Sequence, residues 1–223
     1  MKSLRILVAD DHEVVRRGLC SLLSSQADWE VCGEAVDGRE AVEKAQQLKP
    51  DIVVLDVGMP NLSGLEATRQ ILRALPNVRV LILTLHDSDQ IVTEVLSAGA
   101  RGFLLKSDAA RELVAAVDAV KRGKTYFTSK VAAMVLEGYL KGGTVAPSIS
   151  RDRLTPRERE IVQLLAEGNS TKQVAGMLGV SVKTAETHRS NVMRKLQLHS
   201  VSELVLYAVR NNLVHVTTPA PPG

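Results

Sequence analysis

The chain is poor in cysteine, with only Cys20 and Cys32 among 223 residues. Two thiols in separate apolar stretches give neither a disulfide framework nor metal-ligand spacing, so they read as buried structural groups. No apolar run approaches the roughly 18 residues that a membrane-crossing helix needs. The first apolar stretch meets Asp10 and Asp11 too soon to be a signal peptide. No strand-to-helix turn carries the GxGxxG pattern, which removes dinucleotide binding of that kind, and no internal repeat is visible. What is present is 45% hydrophobic and 24% charged residues. That composition predicts a soluble, cytoplasmic globular protein of one large domain or two small ones, with no membrane contact.

A large excess of charge of one sign is also lacking, since the net charge is only +3. That figure hides a division. Residues 1–122 hold 15 Lys and Arg against 18 Asp and Glu, whereas residues 123–223 hold 13 against 7. An acidic first part and a basic second part suggest that the second meets a polyanion.

Residues 1–122 alternate apolar runs at 4–9, 30–35, 52–55, 80–84 and 102–105 with helix-period stretches near 13–25, 38–48, 64–75, 89–98 and 108–121. Strands alternating with ten-to-fifteen-residue helices predict βα units around a parallel sheet. Runs of Val, Ile and Leu without interruption suit strands buried on both faces. A helix is expected over 129–139, within a linker at 123–153 whose residues 141–150 are rich in Gly, Pro and Ser. Residues 154–214 then read as short helices without strands, and 215–223 as a frayed tail.

Asp10 and Asp11 directly follow the first strand, and Asp56 directly follows the third. In an open α/β sheet the crevice lies beyond the carboxyl ends of the strands, where strand order reverses. If strands one and three are neighbours, three carboxylates converge there and raise one another's pKa. A hard divalent cation relieves that repulsion, and oxygen-only ligands favour Mg²⁺. Thr84 and Lys106 end the fourth and fifth strands. One such residue is commonly a helix cap; five at one edge make a constellation. It suits attack by Asp56 on a phosphoryl group whose oxygens are neutralised by Mg²⁺, Thr84 and Lys106.

These residues carry a resemblance. Asp10-Asp11, the run Leu55-Asp56-Val57-Gly58-Met59-Pro60 with Gly64, then Thr84 and Gly102-Phe103-Leu104-Leu105-Lys106 resemble the receiver domain of two-component response regulators. The resemblance implies a flavodoxin-like fold with strand order 2-1-3-4-5 and Asp56 as phosphoacceptor. It further implies Asp10, Asp11, Asp56 and the Gly58 carbonyl around Mg²⁺, and Phe103 as an aromatic switch. Leu85, Ser107, Gly58 and His86 depart from common receiver residues or sit at rate-tuning positions. Haloacid-dehalogenase-type phosphatases also use an aspartyl phosphate, but they need an acid two residues after the nucleophile. Here that residue is Gly58.

In the basic part, Thr155 caps a helix with Pro156 at its first position and Glu158 completing a capping box. Gly168 supplies a left-handed stop. A helix over 171–178, a turn at Gly179 and a longer helix capped by Ser181 and running to 196 fit a helix-turn-helix. In the longer helix Val182, Ala185, Val192 and Leu196 are expected to face the core, leaving Lys183, Glu186, Thr187, Ser190 and Arg194 outward. Leu154-Thr155-Pro156-Arg157-Glu158 and Ser181-Val182-Lys183-Thr184-Ala185, with His188, Lys195 and Leu196, resemble the LuxR-type (NarL/FixJ) DNA-binding domain. By that resemblance Glu186, Thr187, Ser190 and Asn191 face bases. Lys183, Thr184, Arg189, Arg194 and Lys195 face phosphates, and a helix over 201–211 with Val201, Leu204, Val205 and Ala208 mediates dimerisation.

The two resemblances together imply a non-enzymatic, sequence-specific transcriptional regulator controlled by phosphorylation. Its expected partners are a sensor histidine kinase, double-stranded DNA, a second copy of itself and RNA polymerase. The alternative is a regulator whose receiver serves only as an interaction module, independent of phosphorylation; the bulk of Leu85 beside the site is what supports it.

Overall fold

The computed structural model describes residues 3–85, 89–128, 131, 154–211 and 213–214. It divides into two units, Met1–Ser150 and Arg151–Gly223. Of the expectations above, His86, most of the helix over 129–139, the remainder of the linker to 153 and the tail at 215–223 lie outside the described residues.

In the first unit β1 (Leu4–Ala9), β2 (Trp29–Ala35), β3 (Ile52–Asp56), β4 (Arg79–Thr84) and β5 (Gly102–Leu105) alternate with helices. These are α1 (Glu13–Ser24), α2 (Gly38–Leu48), α3 (Gly64–Ala74), α4 (Asp89–Ala98) and α5 (Ala109–Lys121). The pairing is parallel throughout, in the order β2-β1-β3-β4-β5 with a short β6 (Tyr126–Phe127) beside β5. The two-residue period of a strand divides each apolar run between the two faces. Leu7, Val53, Leu55, Val80 and Ile82 pack with Ala41, Ala45 and Ile71 on one face. Ile6, Val8, Val54, Leu81 and Leu83 pack with Leu19, Leu23, Leu113 and Val117 on the other. β3 is buried at every position. Because β1 lies between β2 and β3, strand order reverses there, and a crevice opens beside Ala9 and Asp56.

The sixth strand, β6 (Tyr126–Phe127), was not expected. Two residues are too few to show a period, so only tertiary pairing reveals it. Phe127 stands opposite Phe103 in the register, and the Tyr126 hydroxyl donates to the Glu112 carboxylate at 2.9 Å. Val131 is helical and wholly buried in the same cluster as Phe103.

The second unit consists of α6 (Pro156–Ala166), α7 (Thr171–Met177), α8 (Val182–Leu196) and α9 (Val201–Arg210). Each start is capped by a hydroxyl: Thr155 and Ser170 in reciprocal capping boxes, Ser181 and Ser200 through the third backbone N–H. Gly168 and Gly179 hold φ of +91° and +64° at the two turns, conformations that glycine takes at little cost. Leu154, Ile161, Leu164, Val174, Val192, Leu204 and Ala208 form the core. Val182, expected inside, is 42% exposed. It is the first residue of α8 and lies beyond the edge of the face that Ala185 and Val192 bury.

Glu158 joins α6 to α8. Its carboxylate accepts from the Thr155 N–H at 2.8 Å and meets the Lys195 ammonium at 2.7 Å. Burial raises its pKa, but the hydrogen bonds from Lys195 and Thr155 outweigh that and hold it below the ordinary 4.5. A depressed carboxylate pKa adds stability that is fully present above the unfolded value and lost as pH falls through the folded one. Lys195→Met is therefore expected to cost about 2 kcal/mol at pH 7, discounted for the partial exposure of the lysine. It should also flatten the acid limb below about pH 4.5. Calorimetry of the full chain across pH checks both effects.

Candidate functional site

β1 delivers Asp10 to the crevice, where its N–H donates to the Ala35 carbonyl at 3.1 Å and fixes it against β2. The Asp10 side chain is fully buried, and Asp56 at the end of β3 is 3% exposed. Asp10, Asp11, His12 and Asp56 bring one ligand-capable atom each within 4.8 Å of one another. The Lys106 ammonium, following β5, lies 2.8 Å from Asp10 Oδ2 and 2.8 Å from Asp56 Oδ2. Thr84, 1% exposed, ends β4 between β3 and β5. The five residues expected at the strand ends thus stand on adjacent strands at one edge, and the three carboxylates and the ammonium meet.

Burial pushes the Asp56 carboxyl above its ordinary value; Lys106 and the Gly58 N–H oppose this, and Asp10 adds to it. Burial works against the charge of Lys106, but the Asp56 and Asp10 carboxylates outweigh it and raise its pKa. The Asp10 and Asp56 carboxylates share one ammonium while Asp11, beside His12, lies at the more exposed rim, so carboxylates outnumber the lysine three to one in the crevice. The buried Asp10 Oδ2 contacts the Lys106 ammonium at 2.8 Å and accepts no backbone hydrogen bond. A buried carboxylate oxygen held by a single ammonium contact and a surplus of hard oxygen donors fit a divalent cation of the Mg²⁺ kind.

His12 was not singled out from sequence, yet its Nδ1 lies 2.8 Å from Asp11 Oδ1 and its N–H donates to Asp10 Oδ1 at 2.9 Å. Its place directly after the acid pair was the available signal. Asn61, at φ +63°, donates to Asp37 at 2.8 Å and ties the loop after β3 to the start of α2. Gly64 passes so close to β3 that a Cβ there would lie 1.9 Å from the Asp56 carbonyl oxygen. Phe103 is wholly buried, whereas Leu85 beyond Thr84 is 68% exposed.

On α8, Lys183, Glu186, Thr187, Ser190 and Arg194 are all exposed, opposite the buried Ala185 and Val192. Their spacing of three and four residues gathers them on one side of the helix. Thr184 is exposed but shares a hydrogen bond with the Ser181 hydroxyl at 2.8 Å. Asn191 accepts from Arg194 at 3.1 Å, and Arg189 donates to the Thr171 hydroxyl at 3.2 Å, linking α8 to α7. Lys195 is turned toward Glu158. On α9, Leu204 and Ala208 are buried, while Val201 and Leu206 remain 49% and 55% exposed. No described helix is long and apolar enough to cross a membrane.

Residues 6–118 match the family described as response regulator receiver domain, and residues 152–208 match the family described as bacterial regulatory proteins, luxR family. The transcriptional regulatory protein LiaR of Bacillus subtilis is 40% identical over 212 residues, covering 95% of this chain and all of that protein. A structure of RcsB from Salmonella enterica serovar Typhimurium, bound to promoter rprA in the presence of phosphomimetic BeF3-, is 25% identical. The match covers 92% of this chain and 98% of that one, with a TM-score of 0.59. A second RcsB structure, of two dimers bound to two parallel DNAs, is also 25% identical, covers 94% and 99%, and has a TM-score of 0.57.

Proposed function

Because the chain belongs to the two-component response regulators that join a receiver to a LuxR-type DNA-binding domain, we propose that a phosphoryl group on Asp56 governs DNA recognition by α8. The family is one of DNA-binding transcriptional regulators, not enzymes. We assign residues 1–122 to the receiver, 123–153 to the connection that begins with β6, 154–214 to the DNA-binding domain and 215–223 to a tail. Cytoplasmic residence follows from a kinase and a genome as partners.

The observation that carries the reading is the Lys106 ammonium held 2.8 Å from both Asp10 and Asp56 at the strand-order reversal. A sensor histidine kinase is the proposed donor. An Asp56 oxygen attacks phosphorus, the bond to the kinase's histidine nitrogen breaks, and its electron pair departs with the imidazole. Lys106 and the Thr84 hydroxyl receive the phosphoryl oxygens. Asp10, Asp11, Asp56 and the Gly58 carbonyl would hold Mg²⁺, which when bound neutralises both the carboxylates and the incoming oxygens. Phe103, buried one strand away from Thr84 and paired with Phe127, is the proposed relay toward the connection. Incubating the full chain with acetyl phosphate and Mg²⁺ tests the assignment by intact mass: one added phosphoryl group supports it, and none overturns it.

For DNA, Glu186, Thr187 and Ser190, with Asn191 beside them, are proposed to meet base edges. Lys183, Thr184, Arg189 and Arg194 are proposed to meet phosphates. Lys195 would join these only by leaving Glu158, so its first role is to hold α8 in place. The RcsB dimers on DNA and the exposed Val201 on α9 support a homodimer on DNA; RNA polymerase is a proposed partner there. Replacing Glu186 or Thr187 is expected to change which sequences are bound, at about 1–3 kcal/mol per lost base contact. Arg194→Ala is expected to weaken all sequences alike and lower the salt slope by about one unit. Competition across a duplex library at several salt concentrations separates the two patterns.

A further inference from the structure

Arg16 lies on α1, one helical turn beyond His12, with its side chain only 12% exposed. Its Nη1 donates to the backbone carbonyl of Asp10 at 2.8 Å, and its Nε donates to Glu34 Oε2 at 3.0 Å. Glu34 is on β2, opposite Val8 of β1. The guanidinium thus bolts the acidic turn to the neighbouring strand. The anchor is itself braced, because the Lys44 ammonium donates to the Glu34 carbonyl and pairs with Glu40, which accepts the Val36 N–H.

Asp10, Asp11 and Asp56 repel one another, with Lys106 as the ammonium between two of them. A turn carrying two of those carboxylates tends to open, and opening spreads the oxygens that a small divalent cation needs in near-ideal geometry. Arg16 grips the backbone at that turn without occupying any carboxylate oxygen of the cluster. A planar fork can meet a carbonyl and a carboxylate in two fixed directions at once, which a lysine cannot do. We propose that Arg16 is a positioning residue for the divalent cation, setting the Asp10–Asp11 turn so that its carboxylates are pre-arranged for Mg²⁺. This rests on the reading of the crevice as a cation-assisted phosphoacceptor site. Contacts of this outer kind govern metal affinity by roughly 10–100-fold.

The test uses the full chain and two readouts: the thermal midpoint against Mg²⁺ alone, and the Mg²⁺ dependence of labelling by acetyl phosphate. Arg16→Met keeps most of the stem and removes the fork. It is expected to raise the half-saturating Mg²⁺ concentration roughly tenfold or more in both readouts, while labelling at saturating Mg²⁺ stays within about twofold of the parent. Arg16→Lys should fall between the two. Glu34→Ala, which removes the anchor's carboxylate and leaves the arginine, should shift the half-saturation in the same direction by less. A loss confined to the labelling plateau, with half-saturation unchanged, would overturn the proposal, since it would put Arg16 in the phosphoryl step. Half-saturation unchanged throughout would overturn it as well; should Arg16→Met fail to fold, Arg16→Lys and Glu34→Ala decide. If the parent itself neither binds Mg²⁺ nor is labelled, the phosphoacceptor reading falls, a result distinct from a parent that works and a variant that matches it.

Discussion

Asp56→Asn is expected to abolish labelling by acetyl phosphate or by a cognate kinase while leaving the first unit folded. The amide keeps the shape of the carboxylate but is a poor nucleophile. Nor should the change harm the fold, because Asp56 is 3% exposed and burial with Asp10 alongside already disfavours its charge. The Lys106 ammonium retains Asp10 as partner at 2.8 Å. Stability should therefore stay within about 1 kcal/mol of the parent or rise, since one of several crowded like charges is gone. Mass spectrometry reads the labelling, and urea unfolding followed by Trp29, which packs against the first unit's core, reads the fold. Stoichiometric labelling of the variant would remove Asp56 from its role.

Gly64→Ala is expected to be severely damaging to the first unit. The added Cβ would lie 1.9 Å from the Asp56 carbonyl oxygen and 2.8 Å from its carbon. Both are backbone atoms of a strand buried at every position, so no side chain can turn aside. Either α3 lifts from the sheet or the end of β3 moves, and the second outcome displaces the phosphoacceptor directly. A loss of about 3 kcal/mol is expected, with labelling reduced even where the protein remains folded. Gly18→Ala is the contrasting case: its Cβ meets nothing within 4 Å inside α1, and a gain of about 1 kcal/mol is expected. Urea midpoints of the two variants should move in opposite directions.

The contrast between these glycines also shows what a sequence can and cannot carry. The helices were legible because their apolar residues repeat a period, and the central strands because burial on both faces leaves them almost without polar residues. β2, with Glu30 and Glu34 at the sheet edge, was the weaker signal. Asp10, Asp11, Asp56, Thr84 and Lys106 were legible because each stands at a strand end, and a parallel sheet collects such ends along one edge. The strand order came only through the resemblance, since no period says which strands are neighbours. Nor could a period announce β6, which is two residues long. Arg16 reads as one more cation on an amphipathic helix until α1 packs and its guanidinium reaches the Asp10 carbonyl. Lys195 likewise reads, by the resemblance, as a phosphate contact near a helix end. Only the packing of α8 on α6 turns it to Glu158. Val182 stays exposed: helical spacing says which residues share a side, not where the partner surface ends.

Phosphorylation of the first unit is proposed to control DNA binding by the second. The most direct measurement is the affinity of the full chain for a duplex selected by its own DNA-binding unit, with and without acetyl phosphate at saturating Mg²⁺ and in parallel with Asp56→Asn. Phosphorylation is expected to tighten binding by roughly 5–150-fold, the range of a coupling of about 1–3 kcal/mol, and Asp56→Asn should not respond. Equal affinities for fully labelled and unlabelled parent protein would contradict the claim and leave the receiver as an interaction module without a phosphorylation switch.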